Sequence, residues 1–144
     1  VKTHQTLIRD FLLVFFFILF LPNVSYCQIS IIVSSSSSHK LSEDEVKEIF
    51  TGSKTTWSNG SKIDIIDQSD SETGKKFYDN FLGKTVNQVR VQWTKLILSG
   101  QASAPIKASN DSEVKKTVSK NNNAIGYISS KELDNSVKEL FKIK

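Results

Sequence analysis

The chain has 144 residues, 38% hydrophobic and 24% charged, enough for one domain with a core and too little for two large ones. Its formal charge is +4, but the basic residues are scattered, as in Lys75-Lys76 and Lys115-Lys116, with no cationic run interleaved with aromatics. That distribution describes a solvated basic surface and excludes nucleic acid as an expected partner.

The N-terminus reads as a targeting segment. Lys2 and Arg9 give a positive start, residues 11–21 form an unbroken apolar run of eleven residues, and Pro22 ends it. The run is shorter than the ~20 residues of a spanning helix and fits the apolar core of a signal peptide. The expectation is a signal peptide over 1–27 with cleavage after Cys27, and a single domain over 28–144 that is periplasmic or secreted. Membrane contact is expected only through an uncleaved signal segment. Cleavage removes the one cysteine, and with it disulfide and thiol chemistry. Without Lys2, Arg9 and Asp10, 17 basic and 14 acidic residues remain.

Residues 29–33 (ISIIV) are β-branched and predict a central strand. Five serines follow at 34–38; they read as a loop, with hydroxyls able to line a crevice at the strand's end. Residues 41–52 predict a helix. Ser42 and Glu45 form a capping box, and Leu41 can staple onto Val46. Val46, Ile49 and Phe50 make the buried stripe, and Gly52 closes the C-terminus. The acidic triplet 43–45 is explained by the positive end of the helix dipole, without a metal. Trp57 reads as a lid over the core edge.

The stretch 63–82 (IDIIDQSDSETGKKFYDNFL) predicts a strand, a polar turn and a helix. A helix that opens past a strand end directs free N–H groups into the crevice there, and anions bind such places. Asp64, Asp67, Asp70 and Glu72 make a carboxylate cluster, read as the solvent side of the strand running into the helix start. Residues 85–100 predict another helix, capped by Thr85 and Gln88, with Val86, Val89, Trp93, Leu96 and Ile97 on its apolar face. Arg90 is the only arginine past residue 27 and the one side chain able to grip an anion in a bidentate way, although a plain surface charge is the simpler reading. A short strand at 106–108, a helix from Ser109 or Asp111 to about Lys120, a strand at 124–128 (AIGYI) and a last strand at 137–143, where the spacing also allows a helix, complete the chain. Alternating strands and helices give an α/β layered architecture.

No HExxH, CxxC, GxSxG or GxxxxGK[ST] pattern occurs, and past residue 27 His39 is the only histidine. Neither an enzyme, nor a metal site, nor a cofactor is therefore expected.

Three segments together carry a resemblance. Residues 41–57 (LSEDEVKEIFTGSKTTW) resemble the helix, IF-x-G-K and Trp of the periplasmic phosphate-binding proteins of ABC transporters. Residues 65–82 resemble that family's strand, its loop Arg-x-Asp-Gly-Ser-Gly-Thr and the helix after it. AIGYI at 124–128 resembles its Gly-x-Ile-Gly-Tyr strand. The resemblance covers nearly all of 28–144 and one lobe of a two-lobed protein. It implies a single three-layer lobe of a type II periplasmic binding protein, a mixed central sheet with helices on both faces. Gln68 stands where the family has its anion-gripping arginine. Asp70 matches the Asp that accepts a proton from bound phosphate. Glu72-Thr73-Gly74 match Ser-Gly-Thr, and a one-residue shift brings Ser71 and Thr73 into use.

The expected ligand set is Ser34, Ser35, Ser69, Asp70, Ser71, Thr73 and Gly74, holding phosphate or another oxyanion weakly, in an exported solute-binding module related to ABC phosphate uptake. A second copy or an envelope partner would cover the half-open site. The alternative is a non-catalytic envelope interaction module that has lost the phosphate site, motivated by Gln68 and by the repulsive Glu72.

Overall fold

A computed structural model describes residues 28–143; the expected signal segment 1–27 lies outside them. Strand β1 (Ile29–Ser34) is an interior strand of a five-stranded sheet of order β3-β2-β4-β1-β5, but not the central one that its sequence predicts, a place taken by β4. Here β2 is Asp64–Asp67, β3 Ile106–Lys107, β4 Ala124–Ser129 and β5 Val137–Ile143. β1 runs antiparallel to both of its neighbours, β4 and β5, whereas β2 runs parallel to β3 and β4, so the sheet is mixed.

Helix α1 (Glu43–Thr51) starts and stops as its sequence dictates. Ser42 accepts from the Glu45 N–H, the Glu45 carboxylate accepts from the Ser42 N–H, and Gly52 closes the C-terminus at φ +85°. Ser42→Ala removes one half of this box and is expected to lower the unfolding free energy by about 1 kcal/mol with an unchanged urea m-value. A drop under ~0.3 kcal/mol would mean that the neighbouring water replaces the cap. Helix α2 (Glu72–Lys76) continues without a break into a π-helical stretch, Phe77–Leu82, which turns Phe77, Tyr78, Phe81 and Leu82 inward. Helix α3 (Val86–Leu98) carries the Thr85–Gln88 capping box, and α4 (Asp111–Ser119) is capped by Asn110, between the two candidates that local pattern suggests.

The connections decide which face each helix covers. The chain leaves β2 through α2 and α3 to reach β3 on the outer edge, then crosses back over β2 through α4 to reach β4. Right-handed crossovers taken in opposite directions put their helices on opposite faces. The larger core accordingly joins Ile31, Val33, Ile65, Ile125 and Tyr127 of the sheet to α1, the π-helical stretch after α2, and α3, through Phe50, Phe77, Phe81, Val89 and Trp93. The smaller core joins Ile32, Ile66, Ala124 and Ile128 to Val114 and Val118 of α4. The fold is thus three-layered, as expected. Trp57 is a core member rather than a lid: it is buried, stacks on His39 at 3.8 Å and donates its indole N–H to Asn123 O. No helix among the described residues is long and apolar enough to cross a membrane.

Candidate functional site

The turn after β2 is organised by Gln68, whose side chain is buried. Its Nε2 donates to Asp111 Oδ1 at the start of α4 (2.6 Å) and to Tyr127 O of β4 (2.8 Å), while its Oε1 accepts from the Ser71 hydroxyl at the start of α2 (2.9 Å). Gln68 therefore occupies the gap between two helix N-termini, where an anion was expected. Ser71 Oγ caps α2 by accepting from Gly74 N–H (2.9 Å), and Gly74 lies so close to Gln68 that a Cβ there would sit 2.1 Å from its carbonyl oxygen. Ser71 and Gly74 are consumed by the turn itself. Thr73 lies half-buried in the first turn of α2. Glu72 points outward, its side chain 82% exposed and paired with Lys75 at 2.9 Å, which removes the direct repulsion expected of it.

Ser34 and Ser35 are not brought to this turn. Because β1 is antiparallel to β4, its C-terminal end lies at the N-terminal ends of β2 and β4, and Ser34 donates to Asn122 Oδ1 (2.8 Å). Five residue steps along β2 and the start of its turn, Asp64 to Ser69, separate the two places, up to ~16 Å at 3.3 Å per residue. The converging set expected from sequence is split between opposite edges of the sheet.

What does converge is a crevice of about 220 Å³ between α3, the C-terminal end of β2 and the segment 104–107. Asp67, Ser69, Tyr78, Arg90, Thr94 and Lys107 are its polar lining, Thr94 with its hydroxyl donated to Arg90 O; Val86, Val89, Trp93, Ile97 and Pro105 make most of its apolar wall. Asp67 is only 8% exposed, on the same strand face as Ile65. Its Oδ1 accepts from Tyr127 Oη (2.8 Å) and Tyr78 Oη (3.1 Å), and among the described residues its Oδ2 has no partner. Burial, then the Asp67 charge, pushes both tyrosine hydroxyls well above the usual range, so both stay protonated and donate. Ser69 is 7% exposed, and none of the hydrogen bonds among the described residues uses its hydroxyl. At the rim Asp70 bridges two cations, with Arg90 at 3.5 Å and Lys107 at 3.8 Å, long contacts between side chains more than half exposed.

Of the residues expected from sequence, then, Ser69 and Asp70 lie at this crevice with Arg90. Asp67, Tyr78 and Lys107 were not anticipated. For Asp67 a signal was present: it shares the parity of Ile63 and Ile65, which places a carboxylate on the apolar face of its strand. The reading of the carboxylates as a solvent side holds for Asp70 and Glu72 and not for Asp67. A larger crevice, about 370 Å³, lies beside the N-terminal half of β2 beyond the end of β3, lined by Thr55, Lys62, Asp64, Gln101 and Ala102 among others. It holds no buried polar group aimed into it and offers less to a ligand. Among the described residues no group of three or more His, Cys, Asp or Glu is placed to hold a metal ion.

At the level of sequence, no family model and no curated protein matches the chain. Solved structures do. A phosphate ABC transporter substrate-binding protein from Clostridium perfringens, with bound phosphate, aligns over 78% of this chain and 43% of its own, with a TM-score of 0.59 and 25% identity. The chain has the fold of half a phosphate-binding protein. An ABC-type phosphate transport receptor from Vibrio cholerae (TM-score 0.58) and PstS from Borrelia burgdorferi (TM-score 0.57) are each 19% identical to it over 78% of its length. The chain spans less than half the length of each of these three proteins.

Proposed function

We propose that the protein is an exported, non-catalytic solute-binding module that holds phosphate or a related oxyanion, related to the binding components of ABC phosphate uptake. The observation that carries this reading is the pairing, in one crevice, of the Ser69 hydroxyl, which faces the crevice with no hydrogen bond among the described residues, with two cations, Arg90 and Lys107, that among those residues are ion-paired only to the exposed Asp70. The bound phosphate in the similar Clostridium perfringens protein supports the choice of anion. In this reading Ser69 and Arg90 donate to the oxyanion and Lys107 supplies charge. Asp67 Oδ2 accepts a proton from the ligand, the task that family likeness suggested for Asp70. Ser34 and Ser35 lie too far away to take part.

Calorimetric titration of phosphate into residues 28–144 tests the reading. Heat saturating at or below millimolar phosphate supports it, and no heat together with no thermal shift would sink it. Gln68, filling the gap between the helix N-termini, favours the second reading in that event: an envelope interaction module without a ligand. The role of Asp67 makes a selectivity prediction. Phosphate carries a proton at pH 7 and sulfate does not, so sulfate presents Asp67 with a like charge and no donor. Phosphate is expected to bind at least tenfold tighter than sulfate, and Asp67→Asn, which retains an acceptor for both tyrosines and adds a donor, is expected to bring the two within about threefold. Unchanged selectivity in the variant would remove Asp67 from the site.

A further inference from the structure

We infer that the ligand this crevice fits best is a small zwitterion, an oxyanion head joined by a short stem to an ammonium group, rather than the bare inorganic ion; the inference rests on the oxyanion reading above. Three observations lead there. The first is charge balance. Arg90 and Lys107 line the crevice opposite Asp67, and the exposed Asp70, just outside the lining, contacts both cations, so these four charges sum to zero. A dianion entering it gains from two cations and is repelled by two carboxylates, whereas a zwitterion finds an opposite charge for each of its own.

The second is the acceptor. Asp67 is nine-tenths buried, both tyrosine hydroxyls converge on its Oδ1, and its Oδ2 is unpartnered among the described residues. An ammonium is a stronger and more permanent donor to a carboxylate than a phosphate hydroxyl. The third is shape. The lining residues of α3 run from Val86 to Ile97, ~16 Å of helix at 1.5 Å per residue. Oxyanion donors gather at Ser69, Arg90 and Lys107, and the remaining wall is Val89, Trp93, Ile97 and Pro105. A bare ion leaves that wall wet. A stem of two or three methylenes covers part of it, and each methylene buried tightens binding by about fourfold. Ile97, still 40% exposed, is the part of that wall most open to a ligand.

The test compares four probes on residues 28–144 by calorimetry: inorganic phosphate, ethylphosphonate, 2-aminoethylphosphonate and β-alanine. The aminophosphonate is expected to bind at least tenfold tighter than ethylphosphonate, from one charge-assisted hydrogen bond. β-Alanine, with a carboxylate head, reports whether the zwitterion or the phosphorus oxyanion dominates; binding by either zwitterion that is tighter than both phosphate and ethylphosphonate supports the inference. Asp67→Asn is expected to abolish the amine's advantage while ethylphosphonate binds as well or better, which also certifies that the variant is folded. Inorganic phosphate or ethylphosphonate binding as tightly as both zwitterions would overturn the inference and leave the oxyanion reading standing. Heat from none of the four would overturn both.

Discussion

Gly74→Ala is expected to destabilise the protein by about 3 kcal/mol, a large share of the ~5–15 kcal/mol that holds a domain of this size together. In an ordinary helix the same change stabilises by up to about 1 kcal/mol, because alanine gives up less backbone entropy. Here the sign reverses for a geometric reason. A Cβ on Gly74 would lie 2.1 Å from Gln68 O, 2.8 Å from Gln68 C and 2.8 Å from Ser69 Cα. All three are backbone atoms and cannot rotate away. Relief requires α2 to move off the β2 turn, which strains the Ser71 cap and pulls Gln68 from Asp111 and Tyr127 O. Overpacking typically costs 1–3 kcal/mol, and three contacts with the rigid Gln68–Ser69 backbone put this site at the top of that range.

Gly126 supplies the control. Its Cβ would meet Val114 Cγ1 at 2.7 Å and Val118 Cγ2 at 3.2 Å; helical valines are stiff, but both methyls lie on one face of α4, which a small shift of the helix relieves, so Gly126→Ala should cost less than Gly74→Ala. Urea denaturation of the two variants checks the ordering. A loss under 1 kcal/mol for Gly74→Ala would show that the turn is free to shift.

This turn also marks where local pattern stops being informative. Both capping boxes, at Ser42 and Thr85, form as read, because a cap is decided by four consecutive residues. The strands at 29–34 and 64–67 follow from β-branched runs and that at 124–129 from AIGYI, whereas the spacing of VKELFKI at 137–143 also allows a helix, and only sheet pairing with β1 makes it a strand. The π-helical stretch at Phe77–Leu82 does not, since FYDNFL has the same apolar spacing in an α-helix. The direction of β1 is not local either. Nothing in ISIIV says that it runs antiparallel to β4, and that one choice carries Ser34 and Ser35 to the far edge of the sheet. Gln68 reads as a substituted ligand in a motif. Its three partners lie 3, 43 and 59 residues away, so that it is a buried strut between two helices emerges only from tertiary structure.

Arg90→Gln is expected to weaken binding of phosphate, or of whichever oxyanion the crevice takes, by roughly 10- to 100-fold, the weight of one or two hydrogen bonds to a charged group. The fold should not notice. The Arg90–Asp70 contact spans 3.5 Å between side chains 52% and 75% exposed, and such pairs contribute about 0–1 kcal/mol at most. Melting temperature and affinity therefore separate, as they would not if Arg90 were a structural residue. Arg90→Lys should recover only part of the loss, because a point charge does not reproduce a planar fork of donors. Lys107→Gln should cost less than Arg90→Gln, since Lys107 is three-quarters exposed and its charge is screened at physiological salt. Lys95, exposed on the same helix but absent from the crevice, serves as the charge-matched control, and its substitution should leave affinity within about twofold. Asp70 gives the test its opposite sign. It holds both cations in the free protein, and an incoming anion must displace it or share them. Asp70→Asn removes that competitor, so affinity for a dianion should rise by several-fold while Arg90→Gln lowers it. A fall in the Asp70→Asn variant would instead make Asp70 a ligand in its own right, the role that its place in the sequence motif suggests.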